Sequence, residues 1–308
     1  MQVLVAGPGT IGASLALTCA VHGHSTTLLG RSESSLARAQ ELMARSAAEL
    51  EQAALMPTGG EGWRNRLVNV TDLAGLSSEC DIALEAISEH LESKQALLAQ
   101  LDKHFQAGTI IASSTSGLPV NDIAALCVQQ QRVAVAHFAN PPHLMPVVEV
   151  VPGDATSADV VEALTSFVES IGKTPVHLKR DTPGHLFNRI QFAMLREAIA
   201  LVEQGIATPE QVDTVVKRGL ALRLAEEGPF EKIDLASIQL VHDVASYLYP
   251  SLDDARSPIL LGSMLKQGHA GAKTGQGFYQ WDEMKIERVL TRRNEEVIRH
   301  LQRLDKRK

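Results

Sequence analysis

Only three cysteines occur in 308 residues, Cys19, Cys80 and Cys127, and none stands in a C-x-x-C spacing. That excludes a disulfide framework and a cysteine metal cluster, and it marks the three as small core residues in a reducing compartment. An apolar run of membrane-spanning length is also missing. So is a basic excess: 29 Lys and Arg stand against 36 Asp and Glu, a net charge of −7, which gives no general attraction to nucleic acid. The basic residues near the end alternate with Glu in a helical pattern and read as a solvated helix. Eleven histidines show no H-x-x-x-H pair with an accompanying acid, so no metal is expected. The first strand begins at Gln2 or Val3, which leaves no room for a signal peptide and predicts a cytoplasmic protein. There is no internal repeat and no low-complexity segment.

What is present is a chain 44% hydrophobic and 21% charged, able to bury a large core and long enough for two domains. Short apolar strands alternate with helical stretches to about residue 178, after which the pattern is almost wholly helical. That combination predicts an α/β fold, a parallel-sheet domain followed by an all-helical one. The division falls near Asp181-Thr182-Pro183-Gly184, giving domains 1–180 and 181–308. Strands are expected at 25–29, 67–70, 82–86, 109–112, 133–136, 147–151 and 174–178, with a long helix from Glu33 to about Leu55 and another from Asn188 to Val202.

The opening run V-L-V-A-G-P-G-T-I-G from Val3 is an apolar strand turning through Gly7, Gly9 and Gly12 into a helix that starts near Ile11 and ends around Gly23. In that context G-x-G-x-x-G is a dinucleotide site. Gly7 permits the tight turn, Gly9 lets a pyrophosphate approach, Gly12 allows helix and strand to pack closely, and Thr10 and Ile11 begin the helix whose N-terminus faces the phosphates. An NAD site usually has an acid after the second strand, where this chain has Gly30, Arg31 and Ser32. A guanidinium and a hydroxyl without a carboxylate favour NADP(H), with NAD(H) the alternative. The plainer alternative is a solvated Arg31 beside a helix cap at Ser32 or Ser34.

Four polar residues stand in otherwise apolar segments: Ser116, His137, Glu149 and Asn188. Buried polar groups must be paired or used chemically. An acid between two Val pairs, V-V-E-V-V, is the natural partner of the histidine twelve positions earlier, and a carboxylate-oriented imidazole is a general acid/base near neutral pH. The duller alternatives are a satisfied core histidine, a helix cap at Asn188 and a loop turn at Ser116.

The segments E-A-I-S-E-H-L-E-S-K (85–94), S-S-T-S-G-L-P-V (113–120), H-F-A-N-P-P (137–142), V-V-E-V-V (147–151), D-T-P-G-H-L-F-N-R (181–189), G-P-F-E-K-I-D (228–234) and G-A-K-T-G-Q-G-F-Y (271–279) resemble, in order, those of the 3-hydroxyacyl-CoA dehydrogenase family. The resemblance implies a Rossmann-type domain, a helical domain that commonly forms a homodimer interface, and an active site in the cleft between them. It implies His137 as the base that takes the alcohol proton while the nicotinamide accepts hydride, and Glu149 as the carboxylate that orients it. By the same resemblance Ser116 and Asn188 hold the substrate oxygen, with Ser116 also near the nicotinamide ribose, and Glu89, Lys94 and Asn140 fall on cofactor-side positions. Glu89 and Lys94 have a solvated ion pair as their alternative. Two departures bear on the substrate. Ser114 replaces the family's usual Asn, and the stretch before G-P-F is similar to that of the branch with lambda-crystallin, L-gulonate 3-dehydrogenase and the carnitine dehydrogenases. In that branch the substrate is a small 3-hydroxy acid, whose carboxylate Arg223 could hold; an ordinary surface arginine is the alternative. No lysine-rich hairpin for a CoA nucleotide is evident between Glu51 and Arg66, although Arg64 and Arg66 keep that option open. The resemblance thus implies an NAD(P)-dependent dehydrogenase of an acyl-CoA or small 3-hydroxy acid. A crystallin-like binding protein with vestigial catalysis is the alternative.

Overall fold

The computed structural model describes residues 1–305. Its strands are β1 (Gln2–Ala6), β2 (Ser25–Leu29), β3 (Leu67–Val70), β4 (Ile82–Glu85), β5 (Ile110–Ser113), β6 (Val133–Phe138), β7 (Val147–Pro152) and β8 (Thr174–His177). Its helices are α1 (Thr10–Val21), α2 (Glu33–Gln52), α3 (Leu91–His104), α4 (Val120–Ile123), α5 (Ala158–Ser170), α6 (Phe187–Glu203), α7 (Pro209–Val215), α8 (Ala221–Leu224), α9 (Pro229–Ala236), α10 (Ile238–Leu248), α11 (Ile259–Lys266) and α12 (Glu283–Asp305).

The strands form one sheet in the order β3-β2-β1-β4-β5-β6-β7-β8. Those near the middle are apolar at almost every position because helices cover both faces, and the pleat divides their side chains between two cores. Val3, Val5, Ala134 and Ala136 join α1, α2 and α5 on one face. Leu4, Val133 and Val135 join Leu98 and Leu101 of α3 on the other. Helix α1 is buried all round from Gly12 to Val21, whereas α2 buries Leu36, Ala39, Met43, Ala47 and Leu50, a single helical stripe.

Six strands run parallel, in the order of a dinucleotide-binding sheet, but β7 is antiparallel to β6. The connection, residues 139–146, is shorter than the dozen or so residues that a parallel crossover requires, so the chain folds straight back. The register that results sets His137 directly opposite Glu149. His143, in that connection, hydrogen-bonds Ser14 Oγ at 3.0 Å and Glu49 at 2.9 Å, fastening it to α1 and α2.

Two compact units result: Met1–Arg189 with the segment from Arg293 onward, and Ile190–Arg292. By this grouping the residues from Arg293 to Asp305 belong with the first unit. There Asn294 donates to Glu49 at 2.8 Å and Gln302 to the Ala53 carbonyl at 2.7 Å. In the second unit, α7, α8, α9, α10 and α11 contain no buried residue, and large apolar side chains such as Phe230 and Leu235 are each 79% exposed. No described helix is long and apolar enough to cross a membrane.

Candidate active site

Because β1, β4, β5 and β6 are parallel, their carboxyl ends share one edge of the sheet, where ligands bind in open α/β folds. The glycine turn follows β1. Gly7 has φ of 119°, and a Cβ there would meet the Ala86 carbonyl oxygen at 2.5 Å. A Cβ on Gly12 would lie 1.8 Å from the Gly7 oxygen, so strand, turn and helix meet without room for a side chain. Gly9 differs, with nothing within 4 Å of its Cβ position. It precedes α1 without a side-chain cap, leaving the first amides of a twelve-residue helix facing open space. Gly7, Gly9, Thr10, Ile11 and Gly12 thus fit a pyrophosphate. After β2, Gly30 is buried against Leu36 and Pro8, Ser32 caps α2 by accepting from the Ser35 amide at 3.3 Å, and Arg31 is exposed.

At the end of β4, Lys94 is 1% exposed and donates to both oxygens of the fully buried Glu85, at 2.8 and 3.0 Å, with Glu89 at 3.3 Å. Lys94 is thus buried, whereas the Glu89 side chain is 42% exposed. Glu89 in turn accepts from Thr115 Oγ1, from the Ser116 amide at 3.0 Å and from Ser116 Oγ at 3.3 Å. Burial alone would raise the Glu89 carboxyl, but the Thr115 hydroxyl, the Lys94 charge and the Ser116 amide outweigh it and hold it below the ordinary value.

The loop after β5 is joined to the turn before α6. The Gly184 amide donates to the Gly117 carbonyl at 3.1 Å, and Asn188 Nδ2 donates to the Ser116 carbonyl. Asn188 therefore lies within the first turn of α6 and touches Ser116; it does not cap the helix. The same turn reaches the histidine. The Leu186 and Phe187 amides each donate to Glu149 Oε1 at 2.8 Å, and Glu149 Oε2 lies 2.6 Å from His137 Nδ1. A carboxylate at the N-terminus of a seventeen-residue helix is favoured by the helix dipole. Burial pushes the Glu149 carboxyl upward, but the His137 hydrogen bond and the two amides outweigh it, so its pKa lies below the ordinary value. An ionised carboxylate only accepts, so Nδ1 carries the proton and Nε2 of the neutral ring keeps its lone pair.

Asn140, exposed, follows β6 and precedes a cis bond to Pro141. Arg223 is exposed on α8 in the second unit. Sequence reasoning had no signal for His185, whose buried ring lies 5.6 Å from that of His137. Glu85 could have been noticed, as an acid closing an otherwise apolar strand.

Residues 2–182 match the family model described as 3-hydroxyacyl-CoA dehydrogenase, NAD binding domain, and residues 184–281 match the 3-hydroxyacyl-CoA dehydrogenase C-terminal domain. The chain belongs to the 3-hydroxyacyl-CoA dehydrogenase family. It is similar to the human mitochondrial hydroxyacyl-coenzyme A dehydrogenase, 34% identical over 291 residues that cover 91% of each chain. It is also similar to 5-formyl-3-hydroxy-2-methylpyridine 4-carboxylate 5-dehydrogenase of Mesorhizobium japonicum, 30% identical over 282 residues, 90% of each. A crystal structure of an enzyme of that name, described as an NAD+-dependent dismutase, superposes with a TM-score of 0.92 over 98% of both chains at 27% identity. As a family member the chain is an oxidoreductase acting on 3-hydroxy groups of small molecules, with a Rossmann-type domain that binds NAD(H).

Proposed function

We propose that His137 is the general base of a reversible 3-hydroxy to 3-oxo conversion, oriented by Glu149, with Ser116 and Asn188 holding the reacting oxygen. The observation that carries this reading is the 2.6 Å cross-strand pair of His137 and a carboxylate that two helix amides keep ionised. When bound, the nicotinamide supplies the redox step by taking or returning a hydride. Nε2 takes the hydroxyl proton in oxidation, and the resulting imidazolium, stabilised by Glu149, returns it in reduction. Ser116 Oγ and the Asn188 amide polarise the oxygen as charge builds on it. The glycine turn holds the pyrophosphate, Glu89 and Asn140 face the rest of the cofactor, and Lys94 acts by positioning Glu89. Within residues 1–180 these groups form the cofactor half. Residues 181–308 form the substrate and dimerisation half.

Two finer choices follow from residues particular to this chain. Arg31, exposed in a segment 30–32 that itself holds no acid, favours NADP(H), although Ser32 is already engaged as a helix cap and Glu33 follows in the first turn. Arg223 suits the carboxylate of a small free acid over a CoA ester, a choice supported by the close likeness in shape to a dehydrogenase of a pyridine carboxylate. One panel tests these statements: NAD and NADP, each with free 3-hydroxy acids and with acyl-CoA esters. His137→Ala is expected to lose turnover by at least about a hundredfold without change in cofactor affinity. A near-normal rate discards the base. Arg223→Ala should raise KM for the acids and leave the esters alone, and tighter binding of NADH than NADPH removes the NADP(H) preference. A wild type inert toward the whole panel would favour vestigial catalysis.

The apolar side chains left uncovered on the helical unit support a homodimer in which a second copy covers them. Sedimentation should show a dimer that persists on dilution; a monomer at every concentration contradicts it.

A further inference from the structure

The turn between β8 and α6 carries a side chain that the reaction above leaves unused. His185 is 0% exposed, has a left-handed φ of 50°, and neither ring nitrogen makes a well-formed hydrogen bond, although the Thr115 carbonyl approaches the ring. An orphaned buried imidazole and a left-handed non-glycine residue both weaken a fold, and such features collect at functional sites. Its ring centroid is 5.6 Å from that of His137 at an inclination of 50°, a separation that one water molecule can bridge. The groups facing His185 are His137 on β6, Glu149 on β7, Asp181 in its own turn and the Thr115 carbonyl after β5. Asp181 is a second orphan. Its Oδ2 accepts the Val120 amide, while its buried Oδ1 has no partner. Burial, and then the charge of a protonated His137, keep His185 from being protonated early, whereas Glu149 and Asp181 favour its protonation. Loss of the His137 charge as that ring gives up its proton removes one of the two causes that oppose protonation of His185.

We propose that His185 receives the proton that His137 has taken from the substrate hydroxyl and passes it by way of the half-buried Asp181 carboxylate to solvent, which restores the base between turnovers. The proposal rests on His137 being the base. The substrate O–H bond breaks as an N–H bond forms on His137; that bond then breaks as one forms on His185. No electrons move in the relay, and the two imidazoles never carry more than one extra proton. His185 touches no reacting atom in this scheme and acts through His137.

The test uses the full chain and two variants, His185→Phe and His185→Gln. The phenyl ring keeps the shape and removes both orphans, so the unfolding midpoint should hold or rise, where a purely structural histidine would give a fall. Turnover should drop about tenfold at unchanged KM. Added imidazole, a diffusible proton acceptor, should restore it, while the wild-type rate stays insensitive to imidazole. Gln keeps a polar side chain that carries no proton, so it serves if the Phe variant is poorly folded. If His137→Ala is inactive but both His185 variants turn over at the wild-type rate, the relay is overturned and the base survives. A near-normal His137→Ala overturns both.

Discussion

Glu149 shows how much one residue can be asked to do. A buried carboxylate loses several kcal/mol of solvation. It is held here by three donors, and charge-assisted hydrogen bonds contribute about 1.5–3 kcal/mol each, enough to keep it ionised. Glu149→Gln keeps the shape but can present an N–H to His137 Nδ1, which favours the wrong tautomer. We expect kcat/KM to fall about a hundredfold with the cofactor dissociation constant unchanged, and steady-state kinetics beside a binding titration checks both. The pairing of His137 with Glu149 was legible in the sequence, since each interrupts an apolar strand. The burial of Lys94 was not: the segment E-H-L-E-S-K looks solvated, and its partner Glu85 is nine residues away in sequence but adjacent in space.

At the scale of elements, the turn from β1 into α1 separates two roles that the glycine pattern alone leaves merged. Gly12 is excluded from carrying a Cβ by the Gly7 carbonyl, whereas Gly9 has empty space in front of it. Gly12→Ala should lower both the unfolding midpoint and NAD(H) affinity. Gly9→Ala should leave the midpoint nearly unchanged and weaken NAD(H) about tenfold or more, equivalent to about 1.4 kcal/mol. Calorimetry and a fluorescence titration separate the two, and equal effects in both variants would contradict the assignment. Most strands stand within a residue or two of where apolar runs and glycine stops put them, because a strand covered on both faces advertises itself. The reversal of β7 did not, since direction depends on the length of a connection and on neighbours that a local pattern does not contain.

At the scale of the whole molecule, proton linkage ties the site to stability. Burial, as the largest cause, lowers the pKa of His22, His24, His143 and His185 below 6.5 in the folded state. An unfolded chain takes up those protons first, so stability begins to fall as the pH drops below about 6.5. Glu89 and Glu149 lie below 4.5 when folded; their contribution is complete above that value and is lost as the pH falls through the folded values. The unfolding midpoint should therefore decline in two stages, the second steepened by the carboxylates, and Glu149→Gln should soften that second stage. A midpoint flat from pH 7 to 5 would contradict the histidine stage. Local spacing alone specifies the glycine turn, the alternation that makes an α/β sheet followed by helices, and the kind of chemistry that a histidine and an acid in apolar strands must serve. It took the folded chain to turn β7 back through a short connection, to bury Lys94, to bring amides 37 and 38 residues beyond Glu149 onto its carboxylate, and to set His185 beside the base. Each of those depends on distant segments meeting, which no local pattern encodes.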